Sequence, residues 1–305
     1  MGLHRLTSLT LGVPDVSASR SFFTDFGLEA GTGGWLATRD GGEQLELVAS
    51  PHRRLLRLGV GAADGDDLAR IAARVQASGL GTVVQHTADC LQLGEPVTGL
   101  LVKITVAAPY DVPVVPIPLN GPSEVQRRDV PAPSVLAAAP PRPSNLTHLV
   151  YTSPDQPTTL RFFTDVVGFE ISDEIEGIVA FTRCGEVHHN LAIQAAPVAF
   201  PHHIAFEMDS VDDVVRGGQR MVDIDAARHM WGLGRHAIGS NWFWYLREPG
   251  GTYIEYTADV DRITQQDLYR PKDWQGHEFL YSFGPPTPAA FLEPADLAEI
   301  IAAGA

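Results

Sequence analysis

The chain has 305 residues, 44% of them apolar, a formal net charge of −15 and two cysteines. The acidity argues against nucleic acid or an anionic membrane surface as partner, because both bind through a basic footprint. Cys90 and Cys184 form no CxxC pair, MGLHRLTSLT is not a secretory start, and no stretch approaches the roughly 18 apolar residues of a membrane span, so a cytoplasmic protein is expected.

In chain order, LHRLTSLTLGV (residues 3–13) alternates as a strand does. Pro14-Asp15 then opens a helix over VSASRSFFTDFG, with Asp15 as N-cap and Gly27 as the stop. Two short strands are predicted in GWLATRD and EQLELVAS, then a strand in LLRLGVGA, a helix in GDDLARIAARVQASG and a strand in GLLVKITVA. RDVPAPSVLAAAPPRPSN, residues 128–145, is rich in Pro and Ala without apolar periodicity and reads as an extended linker. Beyond it the order recurs. LTHLVYTS is a strand, DQPTTLRFFTDVVG a helix, and GIVAFTR and VHHNLAIQ are strands. HHIAFEMD, the helix SVDDVVRGGQRM and a hairpin turning at Pro249-Gly250-Gly251 complete the series.

The phrase SRSFFTDFGLEA thus returns as LRFFTDVVGFEI, each time after Pro-Asp, and the two halves read as copies. The unit is a strand, a helix and two or three strands, used four times. Two units side by side give a curved sheet with helices outside and a concave face where a ligand can sit. The expected partition is 1–127 for a first two-module domain, 128–145 for the linker and 146–261 for a second two-module domain. A tail over 262–305 would pack on the second domain or cap it.

Eight of the eleven histidines, His148, His188, His189, His202, His203, His229, His236 and His277, lie in the second half. Aligning the copies sets His148 opposite Ser8, His203 opposite Arg57 and Glu255 opposite Lys103. Three metal-ligand types in one half face a hydroxyl and two cations in the other, and neither cation ligates a divalent metal. Alternation in HHIAFEM places His202 with Ile204 and Phe206 on the apolar face and turns His203 towards the cavity. Two histidines and one carboxylate leave coordination positions open, a pattern that suits non-haem Fe(II), with Mn(II) as the other candidate.

On LTHLVY, HHNLAI, HHIAFE, GRHAIGSNWFWY and EPGGTYIEY, over residues 146–260, the second half resembles the type I extradiol catechol dioxygenases of the vicinal oxygen chelate superfamily. The resemblance implies an α+β fold of four βαβββ modules paired into two open barrels, with iron held by His148, His203 and Glu255. It implies O2 as co-substrate, a small aromatic diol as substrate and cleavage of the ring beside the two hydroxyls. His189 matches the family's acid-base histidine, and His236 and Tyr245 match residues that hydrogen-bond the substrate or the oxygen. Trp231 stands where homoprotocatechuate-cleaving relatives carry a carboxylate-binding arginine, so an apolar or bulky catechol is expected, with Trp231, Trp244 and Asn190 as pocket candidates. Strand alternation leaves His189 the alternative of a core residue beside Leu191 and Ile193, and leaves the hairpin tryptophans the alternative of packing. Tyr269 or Trp274 of the tail could form a lid. A homo-oligomer is expected. The competing readings are a metal-dependent isomerase or lyase of the glyoxalase kind, which needs two ligand sets, and a metal-free binding protein of the same fold.

Overall fold

In a computed structural model, residues 2–110, 117–137, 139–270, 274 and 280–304 are described; His277 lies outside them. The first half runs β1 (Leu3–Val13), α1 (Val16–Asp25), β2 (Glu29–Ala30), β3 (Leu36–Ala37), β4 (Leu45–Ala49), then β5 (Arg54–Ala62), α2 (Gly65–Ser78), β6 (Thr82–His86), β7 (Cys90–Gly94), β8 (Leu101–Val106). After the short α3 (Pro133–Leu136), the second half runs β9 (Asn145–Ser153), α4 (Gln156–Arg161), β10 (Glu170–Ile175), β11 (Val179–Arg183), β12 (Leu191–Ala195), then β13 (Pro201–Glu207), α5 (Val211–Ile224), β14 (His229–Arg235), β15 (Trp242–Arg247), β16 (Tyr253–Ala258). The tail contributes α6 (Ala289–Leu292) and α7 (Leu297–Ala303).

Among the described residues each half forms one eight-stranded sheet, and the strand orders correspond: β2-β3-β4-β1-β5-β8-β7-β6 and β10-β11-β12-β9-β13-β16-β15-β14. Each sheet is thus two βαβββ modules joined through their first strands, which pair antiparallel as β1 with β5 and β9 with β13. The expected four-module fold is present. The sequence reading left out β2, β6, β7, β10 and β14. β2 is two residues long, β6 is exposed along its whole length, β10 is charged and β14 contains two glycines, so these four do not carry the alternation by which a half-buried strand is read, whereas β7 does alternate and was passed over.

All four long helical segments start in the same way. Asp15, Asp64, Asp155 and Ser210 each accept a hydrogen bond from the backbone N–H three residues on, which satisfies a donor the first turn would otherwise leave bare. The repeated FFTD phrase then diverges. In the first copy one residue, Phe26, separates it from Gly27. In the second Val166 and Val167 separate it from Gly168. The extra residue is taken up by a π-helical turn over Phe162–Val167, which keeps all four large side chains buried. Both stops then fall on a glycine with positive φ, 104° at Gly27 and 101° at Gly168, where a Cβ would be strained.

A continuous core joins the halves. Phe26 of the first half stacks on Tyr256 of the second with ring centroids 3.9 Å apart, and the Tyr256 hydroxyl donates to the Phe26 carbonyl at 2.6 Å. Reciprocally, Arg74 of α2 donates to the carbonyls of Val166 and Val167 at 2.7 and 3.0 Å. The first helix of each half therefore ends against the other half, and the concave face of the second sheet is left for the site. No helix among the described residues is long and apolar enough to cross a membrane.

Candidate metal centre and its cavity

Strand register builds the site. Tyr245 of β15 lies opposite Glu255 of β16, Glu255 opposite Ala205 of β13, and Ala205 opposite His148 of β9. Side chains in one such row project to one face, and His203, two residues from Ala205, projects to the same face. His148, His203 and Glu255 meet there, their ligand atoms all within 4.8 Å of one another. Glu255 Oε2 is 3.1 Å from His148 Nε2 and 3.7 Å from His203 Nε2, while Oε1 accepts from Asn241 Nδ2 at 3.0 Å.

The donor set fits a divalent metal. The Glu255 carboxylate is fully buried, and a buried charge needs a compensating partner. Burial, with His202, His148 and His236 nearby, pushes the His203 imidazolium well below its ordinary range, so a neutral ring faces the carboxylate. Its tautomer is set from behind. His202 Nε2 lies 2.7 Å from the Phe291 carbonyl, to which it can only donate, and its Nδ1 lies 2.9 Å from His203 Nδ1. Donation to the carbonyl makes His202 Nδ1 the acceptor and His203 Nδ1 the donor, which leaves His203 Nε2 free to ligate. Burial lowers His202 to about 4, in keeping with a neutral outer ring.

Above the three ligands is a cavity of about 280 Å³. His189 lines it with its ring 4.2 Å from that of His148, and burial holds its imidazolium well below the usual range. His189 and His188 precede β12 rather than belonging to it, so the expected face shared with Leu191 and Ile193 does not apply. His236 and Tyr245 also line the cavity. His236 Nδ1 donates to the Leu280 carbonyl, so its Nε2 accepts from the Tyr245 hydroxyl at 2.9 Å. Burial, then the Glu255 charge, raises the Tyr245 phenol well above its ordinary value and keeps that proton in place.

The three pocket candidates do not line this cavity. Trp231 is buried behind Tyr245, ring against ring at 5.7 Å, and its indole N–H donates to the Pro285 carbonyl. Trp244 points to the opposite side of β15, where it packs on Gly218 of α5 and donates to His229. Asn190 is spent on the backbone, accepting from Cys184 and donating to Thr147. The wall is instead Val150, Ile178, Val179, Phe181 and Ile238, closed by Leu280, Phe291 and Leu292 of the tail. The tail therefore does reach the cavity, but not through the residues expected. Tyr269 and Trp274 bond Asp173 and are not part of the wall. Phe291 follows an unremarkable Pro-Ala run, and no local signal in the sequence marks it as a pocket residue. The doubled histidines are visible in HHN and HHI, but nothing in the spacing shows that the two members of each pair contact one another through their Nδ1 atoms.

Residues 145–256 match the family model for the Glyoxalase/Bleomycin resistance protein/Dioxygenase superfamily. Metapyrocatechase 2 of Cupriavidus necator is 30% identical over 309 residues, covering 95% of this chain and 92% of its own. The biphenyl-2,3-diol 1,2-dioxygenase of Paraburkholderia xenovorans is 31% identical, covering 91% and 96%. Among solved structures, a Mn(II)-bound glyoxalase from Novosphingobium aromaticivorans superposes with a TM-score of 0.73 at 26% identity, over 94% of this chain and 93% of the other. With its ligand triad, its duplicated sheet and these full-length relatives, the chain belongs to the extradiol dioxygenase family of that superfamily.

Proposed function

We propose that the protein cleaves the ring of a catechol carrying an apolar substituent, inserting both atoms of O2 beside the two hydroxyls. The observation that carries the reading is the His148, His203, Glu255 triad at the floor of an apolar cavity. Fe(II), or Mn(II), held by the three would coordinate the diol and bring it together with O2. The protein's own share is positional and protic. His189 stands beside His148 with its ring in the cavity, placed to take up and return the proton that ring opening requires. Tyr245, held by His236, presents a fixed hydroxyl over the same floor. The apolar wall excludes water and strengthens each of these contacts.

The substituent class follows from the wall. A cavity of about 280 Å³ compares with roughly 150 Å³ for an apolar cavity that takes benzene. It has room for one ring and a modest appendage. Among the described residues no Arg or Lys lines it, so a carboxylate-bearing catechol would bury its charge unpaired. In the same reading residues 1–127 are a scaffold domain without metal, 146–261 carry the chemistry, and the chain works as a homo-oligomer. The test is O2 uptake by Fe(II)- or Mn(II)-loaded protein across a catechol panel. Alkylcatechols should give yellow ring-fission products with kcat/KM about tenfold or more above 3,4-dihydroxyphenylacetate. Metal-loaded protein that consumes no O2 with any catechol would overturn the reading. The likeness to a glyoxalase structure keeps an isomerase as the second reading; turnover of a hemithioacetal without O2 would favour it.

A further inference from the structure

His188 is fully buried and takes no part in the chemistry above, yet it is the best-connected histidine beside the cavity. Its Nδ1 is 3.0 Å from His189 Nδ1, and its Nε2 is 3.0 Å from Asp173 Oδ2 and 2.9 Å from the Tyr269 hydroxyl. Asp173, itself buried, also accepts from that hydroxyl at 3.0 Å and from Trp274 Nε1 at 3.1 Å. We propose that Asp173 and His188 are positioning residues for His189, holding its Nδ1–H turned inward so that Nε2 offers its lone pair to the cavity.

The direction follows from donor counting. A carboxylate only accepts, so His188 Nε2, Tyr269 and Trp274 must all donate to Asp173. The single Tyr269 proton is spent on Asp173. Its oxygen can then only accept from His188, which again requires N–H at Nε2. In its neutral form, which the proposal assigns to it, His188 carries that one N–H at Nε2, so its Nδ1 is an acceptor, and the group facing it is His189 Nδ1. His189 Nε2 is then unprotonated, and it makes no hydrogen bond among the described residues. The pair His202–His203 follows the same grammar, with the Phe291 carbonyl in the place of Asp173. In both, an acceptor at the outer end dictates the tautomer at the inner end. The proposal takes the role of His189 from the ring-cleaving reading, but the tautomer it assigns can be measured without turnover.

In Zn(II)-loaded full-length protein labelled with 15N-histidine, long-range 1H–15N correlation reads each tautomer, with His189 assigned through His189→Gln. The expected result is N–H at Nδ1 of His189 and at Nε2 of His188, with the His189 preference lost in His188→Phe. An Nε2–H tautomer for His189 in the unsubstituted protein overturns the proposal, and that measurement needs no variant to fold. In Fe(II)-loaded enzyme, His188→Phe should lower kcat about tenfold or more, with metal content and KM little changed. In a His189→Gln background the same substitution should have no further effect. An equal loss in both backgrounds would show a structural role only and reject the positioning one. Should no catechol turn over, the ring-cleaving reading fails while the tautomer measurement still decides this one.

Discussion

The two halves carry the same sheet with opposite chemistry at its centre. In the second half His148 faces Ala205, and Ala205 faces Glu255. In the first, Ser8 faces Gly59, and Gly59 faces Lys103. Arg57 sits two residues before Gly59, as His203 sits two before Ala205. The register is conserved to the residue, so the backbone does not choose which half holds metal. Side chains choose it. Arg57 is drawn to Glu46 at 3.9 Å, and Ser8, Arg57 and Lys103 line a separate cavity of about 210 Å³ with Arg5 and Glu43 on its wall. Gln92 stands opposite Lys103 where Tyr245 stands opposite Glu255, and Leu56 precedes Arg57 where His202 precedes His203. Among the described residues the first half lacks, at these positions, the groups that aim the ligands as well as the ligands themselves.

The comparison breaks most visibly at the ligands. Glu255→Ala should remove bound metal and lower turnover by about 10³-fold or more, while Lys103→Ala changes neither, as metal analysis and O2 uptake would show. Metal retained by Glu255→Ala would mean that the centre lies elsewhere. A gain of function sharpens the same point. The triple exchange Ser8→His, Arg57→His, Lys103→Glu should bind a second equivalent of metal about 10–100-fold more weakly than the native site, because nothing there replaces Asn241 or His202. Isothermal titration with Zn(II) would count the sites.

The two helix stops differ more modestly. At Gly27 a Cβ would come within 2.9 Å of the Pro141 carbonyl, whereas at Gly168 it would meet the movable end of Arg74 at 3.0 Å. Both glycines hold positive φ. Gly27→Ala should therefore cost about 2 kcal/mol and Gly168→Ala about 1, seen as a larger drop in denaturation midpoint for the first. A reversed order would show that the rigid carbonyl is not the limiting contact. The smallest effect is expected where the halves touch. Tyr256→Phe keeps the stack on Phe26 and loses the hydrogen bond to its carbonyl, about 1 kcal/mol by chemical denaturation.

Much of this is legible in the sequence. The module order followed from alternation and from Asp and Gly at helix ends, which act through neighbours a few residues away. The ligands were legible because a duplicated chain carries its own control: His148, His203 and Glu255 stand out against Ser8, Arg57 and Lys103. The edge strands were not, since β6 is exposed throughout and β10 buries only the polar Ser172 and Asp173, so neither shows an apolar face to impose a pattern. Trp231 and Trp244 were misplaced because aromatic character identifies a packing residue without saying which layer it packs in. Trp244 serves the helix layer and Trp231 the cluster behind Tyr245.

By itself the sequence determined the duplication, the period of each element and the identities of three ligands, all properties of local spacing or of comparison between copies. Only the tertiary structure decided what surrounds those ligands. Phe291 closes a cavity 88 positions from His203 and anchors His202 through its carbonyl, and Tyr269 reaches Asp173 and His188 from a tail with no pattern of its own. Such contacts depend on where the chain returns in space, and that is set by the packing of whole sheets rather than by the residues beside each one in sequence.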